Sequence, residues 1–248
     1  ISPLMGIKKL LGGNVQADYL KGYCGDKNFE VTENIEDENI NWQKDSLEDG
    51  GGRTRQSQSD IAISKKRAEL REAAVLMARE DEHIIFIGGL NHEQDSEGND
   101  RADMKLPYEQ DQLIQELLAV NPQTVVAMVA GSPVEMGAWI DKAGSVVFSW
   151  YAGMEGGTAL AEVLFGEINP SGKLPETFYK THTDCSAHCV GEFPGEKQVS
   201  YREGMLVGYR YQDLYGAEPE FCFGHGLSYT DFKFDKAELS EVDGSYVV

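Results

Sequence analysis

The sequence predicts an α/β sandwich: a mostly parallel sheet with helices on both of its faces. Three short apolar runs, at residues 84–88, 125–130 and 145–150, are typical of buried strands. Patterns with the apolar spacing of helices lie before, between and after these runs. Because buried strands that alternate with helices are typical of parallel sheets covered on both faces, we expect the three strands to be parallel neighbours.

The chain opens with a predicted short helix, in which Ser2 is the N-cap and Pro3 occupies the first turn. Residues 15–23 then have the pattern of an edge strand. Residues 30–59 are acidic, rich in glycine and almost without apolar periodicity, which predicts an insertion on the surface. The alternating pattern of the sheet and its helices therefore begins only after this insertion.

Four helices are predicted around the three strands. Asp60 is the predicted cap of the first helix, which covers residues 61–80, and the second helix lies near residues 109–120. A short third helix is predicted within residues 136–144. The fourth, near residues 155–165, is entered through Gly156 and Gly157 and closed by Gly166.

The alternation of strands and helices stops after Pro170. Residues 204–213 and 223–232 are aromatic and interrupted by glycine, which predicts strands and loops that wrap one side of the sandwich. Residues 231–248 alternate like a strand and the beginning of a hairpin, so a further all-β module is expected to start there. The α/β domain is accordingly assigned to residues 1–230.

Charge and hydropathy exclude several classes of partner. The formal net charge of −20 argues against nucleic acid and anionic membranes, since both attract basic patches. No apolar run approaches the roughly 20 residues that a membrane-spanning helix needs. No signal peptide is recognisable in the opening residues, and the compartment stays open between secretion or the periplasm and the cytoplasm.

Cys185 and Cys189 lie with two histidines in the segment HTDCSAHC. The spacing matches no standard zinc pattern, so we predict a polar loop with two nearby thiols and no metal site. Four cysteines are too few for a disulfide scaffold at this length, although a local Cys185–Cys189 disulfide stays open for an exported protein. The glycine-rich loops lack the register of a phosphate cradle, and we predict no cofactor.

Residues 92–107 form an acidic loop directly after the first predicted strand. The loop carries four carboxylates close together: Glu93, Asp95, Glu97 and Asp100. Open α/β folds bind ligands at the carboxyl ends of their strands, so carbohydrate binding or acid/base chemistry is expected here. From the residues alone, Glu93, Asp95 and Glu97 are all candidates for a proton donor.

Five motifs occur in one order and at close spacing: HEQDSEGNDRADMKLP, NPQTVVAMVAGSPVEM, WYAGMEGGTALAEVLFGEINPSGKLPETF, YREGMLVGYRYQD and FGHGLSYTDF. Together they resemble the second, α/β-sandwich domain of glycoside hydrolase family 3, the β-glucosidase and β-xylosidase family. The resemblance covers about residues 1–10 and 60–234. NPSGKLPETF and FGHGLSYT are its most distinctive pieces.

The resemblance implies a retaining mechanism with two carboxylates. An Asp nucleophile is expected on a preceding TIM-like barrel. The eightfold strand–helix pattern of such a barrel does not occur in this sequence. The general acid/base is expected on this domain, where the motif SEGNDR assigns it to Glu97. Asp100 and Arg101 match the acidic–basic pair that follows, whereas Asn99 stands where the family commonly has an aromatic residue.

The resemblance also implies an exo-acting β-glucosidase that removes terminal β-D-glucosyl residues from a β-glucoside or cello-oligosaccharide. Trp150 and Tyr151, at the end of the third predicted strand, are candidates for stacking on a sugar ring. Residues 231–248 would begin a truncated fibronectin-III-like module. The alternatives are a β-xylosidase and a non-catalytic carbohydrate-binding or interaction module on the same scaffold, and a homodimer stays open.

Overall fold

The computed structural model describes residues 1–26, 58–190, 193, 195, 197–216, 218–233 and 235–247. The predicted insertion at residues 30–59 lies outside them except for its last two residues. In chain order the elements are α1 (Pro3–Leu11), α2 (Gln58–Glu80), β1 (Ile85–Gly89), α3 (Gln110–Val120), β2 (Val125–Val129), β3 (Ser145–Phe148), α4 (Gly156–Leu164), α5 (Ser186–Cys189), α6 (Tyr209–Tyr215), β4 (Ser240–Val242) and β5 (Ser245–Val247).

The three core strands form one parallel sheet in the order β1-β2-β3, which confirms the predicted architecture. The register pairs Ile85 with Val125, and Val125 in turn with Ser145. Along β2 the consecutive residues 126–128 are all completely buried. Because successive side chains of a strand point to opposite faces, both faces of the sheet are covered at its centre.

Helices α2 and α3 pack together over the core. Helix α3 buries four apolar side chains: Leu113, Ile114, Leu117 and Leu118. Over residues 60–80, whose burial is described, helix α2 buries Ala74 and Ala78, and its other side chains are exposed or half-buried. The prediction that Asp60 caps α2 is wrong, because the helix begins at Gln58 and Asp60 lies within its first turn.

Helices α1 and α4 touch at two glycines. Ser2 caps α1 as predicted, with its hydroxyl accepting the backbone N–H of Met5 at 3.3 Å. A Cβ atom on Gly6 would overlap the carbonyl group of Gly157, and a Cβ atom on Gly157 would overlap the backbone of residues 1–2. The two helix backbones therefore approach more closely than they could if either position carried a residue with a Cβ atom.

Replacing Gly6 by alanine is expected to destabilise the protein, because the new methyl group must push α1 away from α4. Overpacking of this kind costs about 1–3 kcal/mol, which corresponds to a fall of about 2–10 °C in thermal midpoint for a chain of this size. Gly13→Ala is the matched control, since a Cβ atom at Gly13 meets no other atom within 4 Å. Equal midpoints for the two variants would contradict the close contact between the helices.

The edge strand predicted at residues 15–23 is wrong, because this segment pairs with no strand among the described residues. The end of the segment lies instead over the two core helices. A Cβ atom on Gly22 would meet Leu113 of α3 and Ala74 of α2, and the carbonyl of the buried Cys24 accepts a 3.0 Å hydrogen bond from Arg67 Nε. The apolar side chains before it, including Val15 and Tyr19, are exposed.

The segments after Pro170 are partly extended, as predicted. Phe178 and Phe221 form an antiparallel bridge, and Phe178 is completely buried. Residues 204–213 differ from the prediction, since the second half of them lies in α6, which begins after Gly208 at φ +62°. Between β2 and β3 the predicted short helix is a single 3-10 turn, Ile140–Lys142.

The last described residues form an antiparallel hairpin of β4 and β5. Asp243 and Gly244, at φ +51° and +76°, make the two-residue turn that such hairpins favour. The hairpin was expected from the alternating sequence, and its membership of a fibronectin-III-like module stays a prediction. None of the helices in the described ranges is long and apolar enough to cross a membrane.

Candidate active site

The acidic loop leaves the sheet at the carboxyl end of β1 and returns at the start of α3. The completely buried Gln110 holds both ends of it. The Gln110 Oε1 atom accepts the Gly89 N–H at 2.7 Å, and Nε2 donates to the carbonyls of Gly89 and Pro107 at 2.8 and 3.0 Å. This amide therefore fixes the position at which the loop meets the sheet.

The first part of the loop is anchored on Tyr108. The phenol donates to Glu93 Oε2 at 2.7 Å and accepts hydrogen bonds from Gln94 Nε2 at 3.0 Å and Asn91 Nδ2 at 3.2 Å. Tyr108 and Glu109 both have left-handed backbone conformations, with φ near +60°. Such strain is retained where the surroundings hold it in place, and here it directs the phenol into the loop.

Asp95 is the second anchor of the loop. Its carboxylate accepts three hydrogen bonds of 2.9 Å, from the Gly131 N–H, the Ser132 hydroxyl and the Tyr151 phenol. Gly131 and Ser132 follow β2, and Tyr151 follows β3. Asp95 thus joins the loop after β1 to the chain segments that leave both neighbouring strands.

The charges around Asp95 are arranged to keep it ionised. Burial alone would raise the pKa of Asp95, but the hydrogen bonds from Ser132, Gly131 and Tyr151 and the charge of Arg101 outweigh burial and lower the pKa. Burial and the hydrogen bond to Asp95 raise the pKa of Tyr151 to about 12, so the phenol remains a donor. Arg101 Nη1 donates to Ser132 Oγ at 3.1 Å, which completes a chain from guanidinium to carboxylate.

Glu97 lies at the tip of a tight turn formed by residues 96–99. The turn is closed by the Asn99 N–H to the Ser96 carbonyl at 3.4 Å and by the two side chains at 3.2 Å. Gly98 occupies its third position with φ +80°, as type II turns require. Glu97 is exposed, and its carboxylate accepts no hydrogen bond from the described part of the chain.

A cavity of about 530 Å³ lies beside this turn. One wall is formed by the acidic loop, including Glu97, Asp100 and Arg101, and the floor includes Ser132 and Pro133. A segment that the sequence did not single out for the site forms another wall, with Glu176, Tyr179, His182, Cys185 and His188. The motif NPSGKLPETF, which ends at Phe178, was the available signal for this wall.

The other predicted site residues lie close to the cavity in different environments. Asp100 is exposed on the cavity wall, and Arg101 also donates to the Pro133 carbonyl at 2.9 Å. Trp150, at φ +53°, packs edge-to-face on Phe148 at 4.7 Å between ring centroids. The ring of Tyr151 is half exposed while its hydroxyl binds Asp95. Contact of Trp150 or Tyr151 with a sugar stays a prediction.

The segment HTDCSAHC folds as a 3-10 turn followed by the short helix α5. Both of its cysteines are free thiols, and Cys189 Sγ donates to the Thr183 carbonyl at 3.4 Å. The rings of His182 and His188 meet edge-to-face at 5.0 Å. Across the described ranges, no three histidine, cysteine or acidic side chains are grouped so as to hold a metal ion.

Comparison with known proteins identifies curated relatives along most of this chain. The β-glucosidase BoGH3A of Bacteroides ovatus is 43% identical over 203 residues, which cover 78% of this chain and 27% of that protein. Thermostable β-glucosidase B of Acetivibrio thermocellus is 45% identical over 177 residues, covering 71% of this chain and 23% of that protein. The chain therefore spans about a quarter of the length of these relatives.

A solved structure and a family model agree with this relationship. DesR, a β-glucosidase from Streptomyces venezuelae solved in complex with D-glucose, has a TM-score of 0.69 at 34% identity, covering 73% of this chain and 23% of that one. The model of the glycosyl hydrolase family 3 C-terminal domain matches residues 1–229. With its parallel sheet, its acidic loop and this match along nearly its whole length, the chain belongs to glycosyl hydrolase family 3 as a C-terminal domain.

Proposed function

We propose that this chain supplies the general acid/base of a retaining, exo-acting β-glucosidase, and that Glu97 is that residue. The proposal rests on one observation: the carboxylates of the acidic loop differ in their hydrogen-bond partners. Glu93 and Asp95 are engaged by donors that hold the loop, whereas Glu97 stands at the tip of its turn beside the cavity. Only a carboxyl group that is accessible to substrate can exchange a proton with it.

The chemistry sets requirements that Asp95 does not meet. A general acid must be protonated when it meets the glycosidic oxygen, and it must later accept a proton from water. Three donors and the nearby Arg101 charge lower the pKa of Asp95 and favour its ionised form. We therefore assign proton transfer to Glu97 and a holding function to Asp95.

The nucleophile belongs to another part of the proposed enzyme. A retaining glycosidase needs a second carboxylate about 5–5.5 Å from the acid/base to form the glycosyl-enzyme. We propose that an Asp on a TIM-like barrel domain provides it, in keeping with the family resemblance and with relatives that are about four times as long as this chain. The exposed position of Glu97 at the cavity is compatible with such an approach from outside the domain.

The proposed substrate is a β-glucoside or a cello-oligosaccharide. The relatives are named β-glucosidases, and solved structures of β-glucosidases from Streptomyces venezuelae and Kluyveromyces marxianus contain glucose. Asp100 is exposed on the cavity wall, where its carboxylate can accept a hydrogen bond from a sugar hydroxyl. Arg101 supports this wall through its bonds to Ser132 and Pro133.

The test of this proposal is a substrate panel measured with the complete enzyme. We expect a higher kcat/KM for 4-nitrophenyl β-glucoside than for the β-xyloside, and proton NMR should detect the β-anomer of glucose as the first product, since a retaining mechanism inverts twice. A preference for the xyloside would favour the β-xylosidase alternative. Binding of cello-oligosaccharides without turnover of any glycoside would favour a non-catalytic module.

A further inference from the structure

We propose that Asp95 is a positioning residue for the general acid/base, and that the Tyr151 phenol and the Ser132 hydroxyl act through Asp95. This inference rests on the proposed role of Glu97. Asp95 is the last residue before the turn of residues 96–99 and has three hydrogen bonds to chain segments beyond β2 and β3. The side chain therefore determines where the turn, and Glu97 with it, lies relative to the sheet.

The turn itself provides little of this positioning. Its closing hydrogen bonds, at 3.4 and 3.2 Å, join the turn to itself and not to the sheet. A Cβ atom at Gly98 would meet no atom of the described residues within 4 Å, so none of them packs on the turn from that side. On the amino-terminal side, the contacts of Tyr108 end at Gln94. On the carboxyl-terminal side, the next fixed side chain is Arg101. Between these limits Asp95 is the connection to the sheet nearest to Glu97.

The anchor requires a carboxylate and not merely a polar group of the same shape. The Gly131 N–H and the Tyr151 O–H both point at Oδ2, and the Ser132 O–H points at Oδ1. A carboxylate has two acceptor oxygens, whereas the amide of asparagine has one oxygen and one NH2 donor. In Asp95→Asn the amide oxygen has to stay with the Gly131 N–H, which can only donate, so the NH2 group replaces Oδ1. The Ser132 hydroxyl must then rotate to accept from this group, and the negative charge near Arg101 is lost, which weakens the anchor and allows the loop to shift.

A shift of the loop matters because proton transfer depends on short distances. A general acid works within about 2.6–3.2 Å of the atom that it protonates. A misplacement of about 1 Å can reduce the rate by about 10²-fold. Asp95, Tyr151 and Ser132 thus affect the reaction without any contact with the reacting atoms.

The first experiment compares leaving groups in the complete enzyme. We expect Asp95→Asn and Tyr151→Phe to lower kcat/KM for cellobiose by about 10–100-fold, because departure of a sugar needs an aligned acid. The loss for 2,4-dinitrophenyl β-glucoside should stay within about 3-fold, since this leaving group departs without protonation. Tyr23→Phe is the matched control: it removes a phenol whose one hydrogen bond among the described residues is to the Ile87 carbonyl of β1, at 3.5 Å. It should leave both values unchanged.

The second experiment asks whether Asp95 acts through Glu97. In a Glu97→Ala background there is no acid/base left to position, so adding Asp95→Asn should change the azide-rescued kcat on 2,4-dinitrophenyl β-glucoside by less than about 2-fold. If Asp95→Asn does not accumulate as folded protein, Ser132→Ala and Tyr151→Phe provide the same comparison. Thermal midpoints of all variants establish that the folded enzymes are being compared.

The outcomes separate this inference from the proposed function. Losses of equal size for both leaving groups, or a loss that persists in the Glu97→Ala background, would mean that Asp95 only stabilises the domain, and the positioning role would be overturned. If Glu97→Ala itself shows no dependence on the leaving group, Glu97 is not the acid and both proposals fail. Leaving-group-dependent losses that disappear in the Glu97→Ala background support both.

Discussion

Replacing Glu97 by alanine in the complete enzyme is expected to lower kcat/KM for cellobiose by about 10²–10⁴-fold, the usual contribution of a general acid. The physical reason is that a sugar alkoxide is a poor leaving group until its oxygen is protonated. For 2,4-dinitrophenyl β-glucoside the first step needs no proton, and kcat/KM should change little. Steady-state rates on a series of aryl glucosides measure this as a steeper dependence of kcat/KM on the leaving-group pKa.

The same variant should stall after the first step, because no base remains to activate water against the glycosyl-enzyme. Azide is a small anionic nucleophile that needs no base. Added azide should therefore restore turnover of the activated substrate, and the product should be β-glucosyl azide. The stereochemistry of the azide, read by proton NMR, distinguishes capture of the glycosyl-enzyme from a non-specific salt effect.

Glu93→Gln is the matched control for this experiment. Glu93 lies in the same loop, but its carboxylate accepts the Tyr108 phenol at 2.7 Å, an acceptor function that glutamine retains. This variant should show neither a steeper dependence on the leaving group nor rescue by azide. Rescue of a variant of Glu93 or Asp95, with no response in Glu97→Ala, would identify a different acid in the same loop.

The isolated chain is expected to hydrolyse aryl β-glucosides no faster than a buffer blank. The covalent step cannot begin without the nucleophile, which we place on the barrel domain, so the expected effect is complete loss of activity. Release of 4-nitrophenol by the purified chain, compared with equal molar amounts of the complete enzyme, measures it. Steady turnover that disappears in the Glu97→Ala version of the same chain would show that both carboxylates lie within these residues.

The parallel sheet could be predicted because its signal is local. Residues 125–129 are apolar without interruption, a pattern typical of a strand covered on both faces, and residues 126–128 are completely buried. The strand predicted at residues 15–23 was wrong because the contacts of this segment are not local in the sequence. Its alternation predicted a covered side, but Val15 and Tyr19 are exposed and only the end of the segment rests on helices. The helix at Tyr209–Tyr215 was missed because aromatic residues and a preceding glycine also favour extended structure.

The position of the acidic loop after a buried strand could be predicted from the sequence, but the different contacts of its carboxylates could not. Four carboxylates at the end of a buried strand predicted a site, and β1 does end at this loop. Which of them is held depends on groups far away in the sequence: Asp95 binds Ser132, 37 residues later, and Tyr151, 56 residues later. Spacing within a motif contains no information on such partners. Only the three-dimensional arrangement separates the anchored carboxylates from the open one.

The amide of Gln110 has a consequence for protein engineering. The amide forms hydrogen bonds to Gly89 and to Pro107, so the two ends of the loop are held together at its base. The two ends of the loop are held side by side, so its solvent-facing residues can be exchanged without changing the sheet, whereas Leu90 and Leu106 are buried in the core and have to be kept. Loops grafted between these two leucines, with Gln110 kept, would form a library in which chemistry varies while the scaffold stays constant.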